Sequence, residues 1–195
     1  MALTVVTAAA INPVSLAEAK LHLRVDATTE DALIENLISA ATKYCETFAR
    51  RQFITATLKL NLDEFSDDND LPIWLPNPPA QSVTSIKYYD ENGTQQTWVA
   101  SNYQVDVATE PARVLPAYNV SWPSTRVMPN AIEIIYKAGY GDKAVNVPAG
   151  IKAAIKLLVA HLFENREAAS ADSLNVVPFA IESLLWQHRI LEFES

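Results

Sequence analysis

The 195-residue chain is 49% hydrophobic and 19% charged, which is enough for a sizeable core and far from the composition of a disordered chain. No apolar run approaches the roughly 20 residues that span a bilayer, and a net charge of −8 with no basic segment argues against tight grip on a phosphate backbone. The single cysteine, Cys45, excludes an internal disulfide framework.

The opening residues MALTVVTAAAINP are mildly apolar but lack the basic n-region of a secretory signal, so folding in the cytosol is expected. Ser15 with Glu18 three residues on forms an S-x-x-E capping box, and Leu16, Ala19 and Leu23 follow at helical spacing. The pattern breaks at Arg24–Thr28. Thr28 or Thr29 is then expected to cap a second helix of five to six turns, ending near Arg50 and Arg51. Its apolar stripe is Leu33, Leu37, Ala41, Tyr44 and Phe48, with Ile34, Ile38 and Cys45 beside it. The short gap implies a helical hairpin.

From Ile54 the period changes to two. Ile54, Ala56, Leu58, Leu60 and Leu62 alternate with Thr55, Thr57, Lys59 and Asn61, as in a half-buried strand. DEFSDDND follows as an acidic loop over 63–70. PIWLPNPP holds a short strand bounded by prolines. SVTSIKYYDENGTQQTWV reads as a hairpin around Asn92-Gly93. YQVDV, ARVLP and AIEIIYKAGYGD add strands of a small sheet or open barrel over about 54–140. Helical period returns after Val147-Pro148, with Ile151, Ala154, Ile155, Leu158, Val159, Leu162 and Phe163 on one broad face. A last helix runs from about Pro178, with Ile181, Leu184, Leu185 and Ile190 apolar.

The order helices, strands, helices predicts an α+β fold: a helical core from residues 1–53 plus 147–195, with a small antiparallel β domain, 54–146, inserted between its halves.

A search for chemistry finds no active site. His22, His161 and His188 are the only histidines. Glu18/His22 and His161/Glu164 share helix faces, but a zinc site needs further ligands that nothing supplies. Cys45 sits on an apolar helix side, the setting of an inert structural thiol. No P-loop or G-x-S-x-G motif is present, and Gly139-Tyr-Gly141 reads as a turn that ends a strand. The acidic loop lacks the glycine and the terminal acid of a calcium loop begun at Asp63 or Asp67. Trp74, Tyr88, Tyr89, Trp98, Tyr103, Tyr118 and Trp122 enrich the β region, as core packing or as the lining of a ligand groove. No catalytic residue, cofactor or metal is expected, so the chain reads as a binding or assembly protein.

Several segments in order resemble the head–tail connector, or adaptor, proteins of long-tailed phages and gene-transfer agents. They are VSLAEAKLHLRVD, EDALIENLISAATKYCE, LPNPPAQSVTSIKYYDENG, AIEIIYKAGYG and VPAGIKAAIKLLVAHLFENRE, followed by Pro178, Leu184-Leu185 and Arg189. The resemblance implies a structural virion protein of the neck, in a closed ring of about twelve copies joined head to tail. The partners it implies are the portal protein on one side and a neck, stopper or tail protein on the other. DNA would pass through the lumen without specific binding, and no membrane is involved. The free chain is compatible with a monomer in the host cytoplasm before docking.

The C-terminal SLLWQHRILEFES carries the expected portal contact: Trp186, Arg189, Ile190, Leu191 and Phe193. A lone terminal helix seldom keeps so many large apolar residues without a partner. The same residues would also suit a helix that simply packs on the bundle. Three alternatives stand beside the connector: another neck protein (stopper or tail completion), a carbohydrate or small-ligand module on the aromatic β region, and an enzyme with a site spread over loops.

Overall fold

In a computed structural model, which describes residues 1–65, 71–165 and 179–191, the chain divides into two compact units. One comprises Met1–Ala10 and Thr55–Tyr140, the other Ile11–Ile54 and Gly141–Ser195. Among the described residues the elements are eight strands and four α-helices, an α+β fold.

The first unit holds an antiparallel sheet of five strands in the order β1-β2-β8-β4-β5. Their ranges are β1 (Ala2–Thr7), β2 (Ala56–Leu62), β4 (Ala80–Tyr89), β5 (Gln95–Trp98) and β8 (Ile132–Ala138). A second sheet has the order β3-β7-β6, from β3 (Ile73–Leu75), β6 (Tyr103–Asp106) and β7 (Ala112–Pro116). The alternation of β2 sets its register on β8: Leu58 opposes Tyr136 and Leu60 opposes Ile134, all fully buried. Lys59 on the other face bonds Glu133 at 3.2 Å. The Tyr136 hydroxyl donates to the Pro76 carbonyl at 2.6 Å, which satisfies the one polar atom of a buried ring, and burial raises its pKa.

The β4–β5 hairpin is closed by a three-residue loop. Gly93 donates its N–H to the Asp90 carbonyl at 2.8 Å with φ of +79°, while Asn92 keeps an ordinary φ. This is a type I turn followed by a left-handed glycine, a common alternative to the two-residue Asn-Gly turn. The Asp90 carboxylate accepts from the Gln96 side chain and from the Thr94 and Asn92 N–H groups, which hold its pKa below the usual range.

Strand β1 departs from the sequence expectation, which placed residues 1–53 in the helical part. Ala2–Thr7 instead pairs with β2 as an edge strand. As an edge strand it buries only Leu3 in part, so it carries no alternation to read.

The second unit is helical: α1 (Leu16–Leu23), α2 (Asp31–Ala49), α3 (Ala149–Glu164) and α4 (Phe179–Trp186). Helix α2 packs against α1, α3 and α4, and α3 also against α1 and α4. The Ser15/Glu18 capping box is fully formed: the Ser15 hydroxyl oxygen accepts from the Glu18 N–H, and Glu18 accepts from the Ser15 N–H. Both α1 and α2 end in left-handed residues that are not glycine, Arg24 (φ 58°) and Arg50 (φ 54°). In each case the next N–H reaches back to Lys20 or Glu46, the Schellman pattern.

Two local expectations are corrected. Neither Thr28 nor Thr29 caps α2. Glu30 occupies the cap position without a side-chain capping bond to the helix, and the entry is held by Asp31 N–H to the Thr28 carbonyl. Lys20 adds a 2.6 Å ion pair to Asp31, tying the end of α1 to the start of α2. The buried face of α2 is Ile34, Ile38, Ala41, Thr42, Cys45 and Ala49. The stripe expected at its centre is therefore turned to the side: Leu33 is exposed, and Leu37, Tyr44 and Phe48 are half-buried. Small residues at 41, 45 and 49 let the neighbouring helices approach closely, and this decides which face goes inward.

Candidate functional site

Residues that looked chemically suggestive are not gathered into a site. His22 is exposed on α1, His161 lies in the last turn of α3, and His188 follows α4. Among the described residues, no group of three or more His, Cys, Asp and Glu side chains is placed to hold a metal ion. Cys45 is fully buried, and burial pushes its thiol pKa up to about 12, which makes it a poor nucleophile. Gly139 and Gly141 take left-handed φ values at the end of β8, with Gly139 N–H bonded to the Pro79 carbonyl, so the glycines build a turn. Among the described residues, Pro79 and Pro111 follow cis peptide bonds.

The aromatic residues of the sheet unit are mainly core. Phe65 stacks on Trp122 at 4.8 Å, Trp98 lies 5.0 Å from Trp122, and Tyr103 stacks on Trp98 at 5.4 Å. Trp98 and Trp122 are buried, and Trp74 and Tyr118 are exposed. An open cleft of about 720 Å³ runs past Asp63, Glu64 and residues 121–129. It contains no histidine, and Asp63 already accepts the Asn130 N–H at 2.7 Å. Of the acidic loop 63–70, residues 66–70 lie outside the described residues. A carbohydrate groove or a loop-built active site gains nothing from this arrangement.

The helical unit presents its apolar side chains differently. Ile181 and Leu185 of α4 are buried against the bundle, while Trp186 remains 50% exposed and Phe179 81% exposed. Trp186 meets Phe48 of α2 edge to face at 6.0 Å, and Phe48 stacks on Tyr44 at 6.3 Å. The Arg189 guanidinium lies 4.6 Å from the Trp186 ring centre and 5.0 Å from that of Phe48. Ile190 is half-buried and donates its N–H to the Ala49 carbonyl at 3.1 Å. Leu191 is 66% exposed.

Four of the five expected contact residues are thus placed, and Phe193 lies outside the described residues, as does Pro178. Trp186, Arg189 and Ile190 come together at the C-terminal end of α2. Sequence reading did not find Arg51, whose Nε donates to the His188 carbonyl. The residues are 137 positions apart and carry no shared motif. Burial, then the charge of Arg51, holds the His188 pKa below its ordinary value.

The arrangement leaves a half-exposed Trp186 ring, a cation over two rings and an exposed Leu191 side by side at the ends of α2 and α4.

Residues 14–189 match the model of a family described as head completion protein. Comparison with curated proteins finds no match. Among solved structures, the fold is similar to a chain from the virion of a native gene transfer agent (GTA) particle, with TM-score 0.81 and 24% identity. It is also similar to a chain from the neck of an empty GTA particle computed with C6 symmetry, with TM-score 0.78 and 25% identity. A third similar chain comes from the neck of a native GTA particle computed with C12 symmetry, with TM-score 0.76 and 24% identity. Each match covers 100% of this chain and 98% of the other.

Proposed function

We propose a head–tail adaptor role from one premise: this chain belongs to the head completion protein family. That family is one of structural proteins of the virion neck, not of known enzymes. The family match over 14–189 is the observation that carries the proposal, because it takes in the four described helices together with Trp186 and Arg189.

In the proposed role, copies of the chain assemble on the portal as a closed ring of about twelve, each copy touching its neighbours through two different surfaces. Trp186, Arg189, Ile190, Leu191 and Phe193 contact the portal. A neck, stopper or tail protein binds on the far side. Before docking, the chain folds in the host cytoplasm. DNA passes through the lumen, and the net charge of −8 disfavours a grip on its phosphates.

The role is tested by mixing the purified chain with rings of the cognate portal and imaging the product. The expected result is an added ring of about twelve copies on the portal. A chain that ignores bare portal, and binds only once another neck protein is in place, is a stopper or tail-completion protein instead. A chain deleted after Arg189 is expected to remain folded and to fail to join portal-bearing heads.

A further inference from the structure

Residues 188–191 extend beyond α4: the His188 and Arg189 N–H groups turn back onto the Leu185 and Trp186 carbonyls, and the turn that ends α2 holds the segment as well. Ile190 N–H donates to the Ala49 carbonyl at 3.1 Å, and Arg51 Nε donates to the His188 carbonyl. The two bonds grip alternate residues of the segment by its backbone, whatever side chains it bears. Arg51 is only 9% exposed, so its guanidinium has left water and depends on acceptors such as this carbonyl. The opposite side is closed by α3: a Cβ added at Gly150 would lie 3.2 Å from His188 Nε2. Residues 188–190 therefore sit in a fitted seat between two helices, and Arg189 is directed onto the Phe48 and Trp186 rings.

We propose that Arg51 is a positioning residue for the partner contact, acting with the Ala49 carbonyl as a backbone clamp on residues 188–190. The clamp rests on the portal-docking role proposed for the C-terminal segment. A segment free to move must be ordered when it docks, and that ordering subtracts from affinity. A segment held in advance docks without this loss. Arg51 need not touch the portal at all, and it acts through the direction it gives to Ile190 and Leu191.

The test uses the full-length chain and purified rings of the cognate portal. Arg51→Met keeps the aliphatic stem and removes the donor. It is expected to weaken portal binding about tenfold or more and to speed hydrogen exchange at the Ile190 amide, with amides in the middle of α3 unchanged. Arg51→Lys restores a donor and is expected to recover most of the lost affinity. If Arg51→Met compromises folding, Gly150→Ala replaces it: pressing on the His188 ring from α3, it is expected to produce the same paired change in binding and Ile190 exchange. Wild-type binding by a folded Arg51→Met or Gly150→Ala chain overturns the clamp. So does weakened binding with Ile190 protection unchanged. A chain deleted after Arg189 is measured in parallel. If that chain binds normally, the docking role fails and the clamp with it. If it fails to bind while Arg51→Met binds normally, the docking role stands and only the clamp is overturned.

Discussion

In the sheet unit, Phe65, Trp98 and Trp122 stack on one another largely out of water; in the helical unit, Phe179, Trp186 and Leu191 remain at least half exposed. Both sets are large and apolar, but their physical consequences differ. Burial converts the first set into stability. The second set costs stability if left in water and is suited to desolvation by a partner. The contrast separates two kinds of variant: those that unfold the chain and those that leave a folded chain unable to dock.

The largest expected effect is in the sheet unit. Trp98→Ala removes a ring from the centre of the aromatic cluster and is expected to cost about 3–5 kcal/mol, read by denaturant unfolding. A cost under about 1 kcal/mol would mean that the cluster is not a core.

Cys45 gives a pH test within the helical unit. Burial pushes its folded thiol up to about 12, above the 9.0 of a free, solvent-exposed thiol. In that window the unfolded thiol releases its proton and the folded one keeps it. Stability from this group is therefore present below pH 9.0 and is lost as pH rises toward about 12. Thiol reagents at pH 8 are expected to label the chain only after denaturation. Labelling of the native chain at the unfolded rate would contradict the burial.

Smaller effects are expected to stabilise. Among the described residues the buried Thr42 hydroxyl has no hydrogen-bond partner, so Thr42→Val should raise stability by about 1 kcal/mol. Arg24→Gly relieves a left-handed backbone at the end of α1 and should add about 0.5–1 kcal/mol. Both are read as shifts in the unfolding midpoint at constant slope.

What could be read from the sequence follows from how local each signal is. The Ser15/Glu18 cap is written in four consecutive residues and forms as expected. Strands β2 and β8 alternate because each has one face in the core, so their period is visible. Strand β1 lies at an edge and lacks that mark. On α2 the apolar residues span two adjacent stripes, and only packing against α1, α3 and α4 chooses Ile34, Ile38 and Cys45 over Leu33 and Leu37. The aromatic surface was legible in part, since four large apolar residues near the chain end stood out. Its base on Phe48 and the bond from Arg51 to the His188 carbonyl depend on contacts between distant parts of the chain, which no spacing records.

The contrast between the units is tested most directly by Trp186→Ala, with melting temperature and portal affinity measured on the same preparation. Trp186 is half exposed, so its loss should change stability by no more than about 1 kcal/mol, while portal binding falls at least tenfold. Undiminished portal binding by a folded Trp186→Ala chain would contradict the account.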